Sequence, residues 1–175
     1  MQPFALAVDS WHDFYIMVGT AAATLVGLLF VSLSLNVEVV TRKENADLRL
    51  LAGQTFTTFL CVVMFAVVFL IPSQAPLGLG LSLLGIGGYA LYRTVSQFLE
   101  TRGEQTRQWG SGLVARRFAI PSLCFVVLII IAVSVLLGYT VGLYWLVPVM
   151  IGLILAASRN AWDLLLQLRQ PSVES

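Results

Sequence analysis

Phe118-Ala-Ile-Pro-Ser-Leu-Cys-Phe-Val-Val-Leu-Ile-Ile-Ile-Ala-Val-Ser-Val-Leu-Leu-Gly138-Tyr-Thr-Val-Gly142-Leu-Tyr-Trp-Leu-Val-Pro-Val-Met-Ile-Gly-Leu-Ile-Leu-Ala-Ala-Ser158 is a run of 41 residues without a charged side chain. As one α-helix it would be about 61 Å long, twice the roughly 30 Å hydrocarbon core of a bilayer. The run must therefore fold back. Glycines at both ends of Gly138-Tyr-Thr-Val-Gly142 mark the break, which predicts spans of about 118–137 and 143–167. The second is expected to leave the bilayer as an amphipathic tail through Arg159 and Trp162 to Arg169. Pro121 is expected in a first helical turn, where a missing N–H is harmless, and Pro148 deeper in its helix, where it bends the axis.

Three further apolar runs precede this one. They predict spans of about 14–37, 50–71 and 77–99, the second stopping at Pro72-Ser-Gln-Ala-Pro76, a tight loop signal. The longest polar stretch, Glu100–Arg117, follows the third. Composition agrees: 58% of the chain is hydrophobic and 11% charged, where a soluble domain carries about 25% charged residues. The expected fold is all-α, a single polytopic transmembrane bundle over residues 1–175 with five spans. The first apolar run has no preceding Lys/Arg and is too long for a cleaved signal peptide, so it is read as a retained helix.

Five crossings put the N-terminus, the 72–76 loop and the 138–142 turn on one side, and the 38–49 loop, the 100–117 loop and the C-terminal tail on the other. All ten basic residues lie on or next to the second side: Arg42, Lys43, Arg49, Arg93, Arg102, Arg107, Arg116, Arg117, Arg159 and Arg169. An excess of Lys and Arg marks the cytoplasmic face, so the N-terminus is expected outside and the C-terminus inside. An even number of spans would destroy this segregation. Trp11 and Trp145 at the outer boundary and Trp162 at the inner one suit an aromatic belt, and Trp109 lies in the inner loop.

Two groups of residues are candidates for more than spanning. Gly19, Ala23 and Gly27, with Thr20 and Thr24 beside them, form a small-residue groove on the first helix. Small side chains let helix backbones approach closely in lipid, where van der Waals packing replaces the hydrophobic drive. Either a helix of the same chain fills this groove, or a second copy or another membrane protein does. Polar residues also gather toward the cytoplasmic half. Asn36, Glu38, Gln54, Thr58 and Arg93 represent that cluster, together with Ser32, Ser34, Thr55, Thr57 and Gln97. A polar group facing hydrocarbon is costly, so these should turn inward. They serve as structural glue near the interface or as the wall of a cytoplasmic vestibule, and Arg93 has the alternative of snorkelling to the headgroups. In the third helix Gly78, Gly80, Gly85, Gly87 and Gly88 suggest a crowded central position.

Catalytic signatures are missing from the sequence. His12, the only histidine, stands beside Asp13 at a helix start, a capping or headgroup position with no nucleophile motif nearby. Cys61 and Cys124 sit inside apolar runs with no ligand-spaced partner and read as buried small side chains, so no metal or cofactor is expected. No phosphate-binding or zinc-protease pattern occurs, and no carboxylate lies in mid-membrane as a proton-coupled transporter would need. The basic loops are explained by topology and call for no nucleic acid.

Trp11-His-Asp-Phe, followed by Val18-Gly-Thr-Ala-Ala-Ala-Thr-Leu-Val-Gly-Leu-Leu-Phe-Val-Ser-Leu-Ser-Leu-Asn36 and later by Ile71-Pro-Ser-Gln74 before a Leu/Gly-rich helix, resembles an uncharacterised family of small bacterial polytopic membrane proteins. Its members are sometimes labelled modulator of FtsH protease. The resemblance covers roughly the first hundred residues. It implies bacterial origin and a role in the inner membrane, and it carries over no catalytic residue. The expected function is a non-enzymatic membrane protein acting through helix contacts, as regulator or subunit of an assembly. The alternative is a homo-oligomeric pore lined by the polar faces of the first two helices. Expected partners are the lipid bilayer, a second copy or another membrane protein.

Overall fold

The computed structural model describes residues 8–42, 45–72, 75–101, 111–139 and 141–169. Among them the regular elements are all helical: α1 (His12–Leu35), α2 (Val37–Thr41), α3 (Ala46–Phe69), α4 (Pro76–Thr101), α5 (Ser111–Leu136) and α6 (Leu146–Arg169). A 3-10 segment, Val141–Trp145, leads into α6. Lys43, Arg102, Arg107, Trp109 and the Ser73–Gln74 pair lie outside the described residues.

Among the described residues four segments are long and apolar enough to cross a membrane: His12–Leu35, Leu48–Phe69, Phe118–Leu136 and Gly142–Leu168. Helix α4 is as long as α5, at 26 residues each. Its five glycines, two tyrosines and Arg93 dilute its hydropathy, so apolar character alone does not place it with the other four.

The helices alternate in direction. Gly19 of α1 lies against Ala66 of α3, and Tyr15 stacks on Phe69 with ring centroids 4.0 Å apart and an interplanar angle of 4°. Low numbers thus meet high ones, the mark of an antiparallel pair. Gly80 meets Leu136 and Gly87 meets Leu128, so α4 and α5 are antiparallel too; Gly152 faces Cys124, which pairs α6 with α5 in the same sense. Helix α3 also packs on α6, and α4 packs most extensively on α5. The consequence is a bundle with two distinct ends. One holds Trp11, Leu70 and the 3-10 segment, tied by the edge-to-face contact of Trp11 with Tyr144 at 5.4 Å. The other holds α2, the start of α3 and the ends of α4 and α6, with Arg42, Arg49, Arg93 and Arg159 exposed in that half.

Side chains from α1, α3, α4, α5 and α6 fill the interior, among them the fully buried Phe65, Leu83, Leu128, Leu146, Met150 and Leu153. A smaller cluster joins Leu29 to Leu51, Phe59, Ala157 and Leu164 at the basic end. The α5–α6 turn is a Schellman cap. Tyr139 N–H donates to Ser134 C=O and Gly138 N–H to Val135 C=O, each at 3.0 Å, and Gly138 has φ +87°.

The two prolines exchange their expected roles. Helix α5 begins at Ser111, because residues 111–117, with Arg116 and Arg117 at their end, extend the helix beyond the uncharged run, so Pro121 lies in its interior and not in a first turn. Helix α6 begins at Leu146 after the 3-10 segment, so Pro148 falls in the first turn, where its missing N–H has no intrahelical acceptor to lose.

Candidate functional site

Helix α1 is the peripheral member of the bundle. Only 17% of its apolar window is buried, against 56% for that of α3. Its buried residues, Tyr15, Val18, Ala22 and Leu29, fall at the three-, four- and seven-residue steps of one helical face. The proposed groove divides. Gly19 is half-buried against α3, whereas Thr20, Ala23, Thr24 and Gly27 are exposed, and a Cβ on Gly27 would meet nothing within 4 Å. The cause is geometric: a four-residue step turns the helix about 400°, so the face drifts about 40° per step and leaves the α3 contact behind. The Thr24 hydroxyl donates to the Thr20 carbonyl at 2.8 Å, so it sits on an apolar surface already satisfied.

The polar cluster is also redistributed. Of the expected cluster, Gln54, Thr55 and Thr58 on α3 and Gln97 on α4 are buried, joined by Thr94 on α4 and Asn160 on α6. Asn36 is half-buried and spends its amide locally, donating to Ser32 C=O at 2.9 Å. Glu38 and Arg93 are exposed and take no part in the buried layer. Thr94 and Asn160, outside the expected cluster, complete that layer. Their signal was present in the spacing: Thr94 and Gln97 follow buried Ala90 at four and seven residues, and Asn160 lies between Ala157 and Leu164 on one face.

The threonines satisfy themselves. Thr55, Thr58 and Thr94 donate to the carbonyls of Leu51, Gln54 and Ala90 at 2.8–2.9 Å. Two of the layer's carboxamides do not. Gln54 is 3% exposed and Asn160 5%, and neither Gln54 Nε2 nor Asn160 Nδ2 has an acceptor within hydrogen-bonding distance.

Reactive groups do not converge. Among the described residues no three His, Cys, Asp or Glu side chains are placed to hold a metal ion. Cys61 is buried on α3, Cys124 is half-buried on α5, and both are free thiols. His12 and Asp13 are exposed at the start of α1. An apolar cleft of about 260 Å³ opens between α3 and α4, lined by Thr57, Cys61, Met64, Gly85 and Tyr89 among others, a shape suited to surrounding hydrocarbon.

No protein-family model, curated protein or solved structure matches the chain.

Proposed function

We propose that this chain is a bacterial inner-membrane protein with five crossings that acts through helix contacts, as a regulator or subunit of a membrane assembly, and is not itself an enzyme. The observation that carries this reading is the outward face of α1. Thr20, Ala23, Thr24 and Gly27 present small side chains to the surroundings, although packing within the chain uses only Gly19 of that set. In lipid such a surface gains little from burial in acyl chains and more from a second helix backbone that can come close.

The fifth crossing in this reading is α4. Its partners support it: α4 runs antiparallel to α5 along most of its length and packs also on α3. An α4 lying outside the bilayer would leave one face of both neighbours without cover. The gathering of Arg42, Arg49, Arg93 and Arg159 at one end of the bundle supports a cytoplasmic position for that end. The competing pore needs one polar stripe shared by α1 and α3, yet Thr20 and Thr24 are exposed while Gln54, Thr55 and Thr58 are buried.

Native mass spectrometry from lipid nanodiscs tests the reading. The wild type should travel with a second copy or another membrane protein, and Gly27→Leu should travel alone with its melting temperature unchanged. A wild type that is alone in nanodiscs, together with normal behaviour of Gly27→Leu in cells, overturns it.

A further inference from the structure

Gln54 and Asn160 belong to two helices that pack on each other. Leu51, Ala52 and Phe59 of α3 share one buried cluster with Ala157 and Leu164 of α6. Gln54 follows Leu51 by three residues, and Asn160 stands three residues after Ala157 and four before Leu164, so each carboxamide shares a helical face with members of that joint cluster. Their depths agree. Gln54 is eight residues from the start of α3 and Asn160 nine from the end of α6, which places both about 12 to 14 Å inside the basic end of the bundle.

Each carries a donor that no acceptor of the protein reaches. A buried carboxamide N–H without a partner is among the costlier features of a protein interior, and two at one level call for a common cause. The buried Thr55, Thr58 and Thr94 hydroxyls spend their protons on their own helices, leaving lone pairs that can accept. Donors and acceptors thus occur together. A water molecule in a polar interior makes about three hydrogen bonds to such otherwise unsatisfied groups.

We propose that Gln54 and Asn160 form the donor walls of an internal hydration site between α3 and α6, its ligand being water that enters from the basic end of the bundle. The fully buried Phe65, Leu83, Leu128, Leu146, Met150 and Leu153 close it toward the opposite end. It is a blind, wet chamber and not a through-channel. Its polarity makes the α3–α6 seam the part of the core that admits solvent.

Water-edited solid-state NMR on the labelled full chain in lipid bilayers tests this directly. Polarisation from water should reach the side-chain amides of Gln54 and Asn160 several-fold faster than the methyls of Leu83 and Leu153. In Asn160→Leu the transfer to Gln54 should slow toward the rate of those methyls, since one wall of the shared site is gone. Amides in the wild type that build up as slowly as the core methyls overturn the proposal. So does a direct contact between the two carboxamides without water transfer, and so does a Gln54 rate unaffected by Asn160→Leu.

Discussion

Gly19 and Ala66 stand so close that a Cβ added to Gly19 would lie 2.7 Å from the Ala66 Cβ. Neither atom is the end of a flexible side chain, so nothing can rotate away. The contact fixes how near α1 comes to α3 at this point of the seam.

Replacing Gly19 with alanine should therefore push α1 outward and cost about 1–3 kcal/mol, the usual penalty for overpacking a filled interior. Gly27→Ala should leave stability within about 0.5 kcal/mol, because its Cβ meets nothing. Thermal unfolding in bicelles separates the two; equal effects would mean that α1 is not seated as described.

One turn away, the stack of Tyr15 on Phe69 seals the same seam. A double-mutant cycle with Tyr15→Leu and Phe69→Leu should return a coupling of about 0.5–1.5 kcal/mol, the worth of an aromatic pair beyond its buried area. Additive effects would contradict the stacking.

Gly80 and Gly87 meet α5 at comparable distances but with different neighbours. A Cβ on Gly80 would press on both Cγ and Cδ2 of Leu136 at 2.6 Å and approach the Ala132 carbonyl at 3.3 Å, whereas one on Gly87 would press chiefly on the Leu128 Cδ2 at 2.5 Å. A methyl at the end of a leucine rotates aside; a branched carbon backed by a carbonyl does not. Gly80→Ala should lower the melting temperature more than Gly87→Ala.

The Schellman cap of α5 supplies a fourth test. At φ +87° any residue with a Cβ is strained, so Gly138→Ala should cost about 1–2 kcal/mol with no loss of packing contacts. Hydrogen exchange at Gly138 and Tyr139, whose amides close the cap, should rise in the variant.

The helices were legible because an uncharged run longer than one bilayer thickness must break, and Gly138 is where it does. The prolines were not, since hydropathy marks where lipid ends and not where a helix ends: α5 starts at Ser111, seven residues before the apolar run. Four-residue spacing places the groove on one face, but the drift of that face separates Gly19 from Gly27. In α4, Gly80 and Gly87, seven residues apart, take the close contacts, while Gly88 meets nothing within 4 Å. Position along the chain groups Glu38 and Arg93 with Gln54, whereas helical phase turns them outward and brings in Thr94 and Asn160.

The proposed five-span topology depends on α4 crossing the bilayer, since only with that crossing would the number of spans be odd and the basic residues share one side. Single cysteines replacing Ala75 and Gln105, in a background with Cys61 and Cys124 changed to alanine, bracket this helix. With a membrane-impermeant maleimide on intact cells, Ala75→Cys should react at once and Gln105→Cys only after lysis. Labelling of both from the same side would remove the fifth crossing, and labelling of Gln105→Cys alone would invert the orientation.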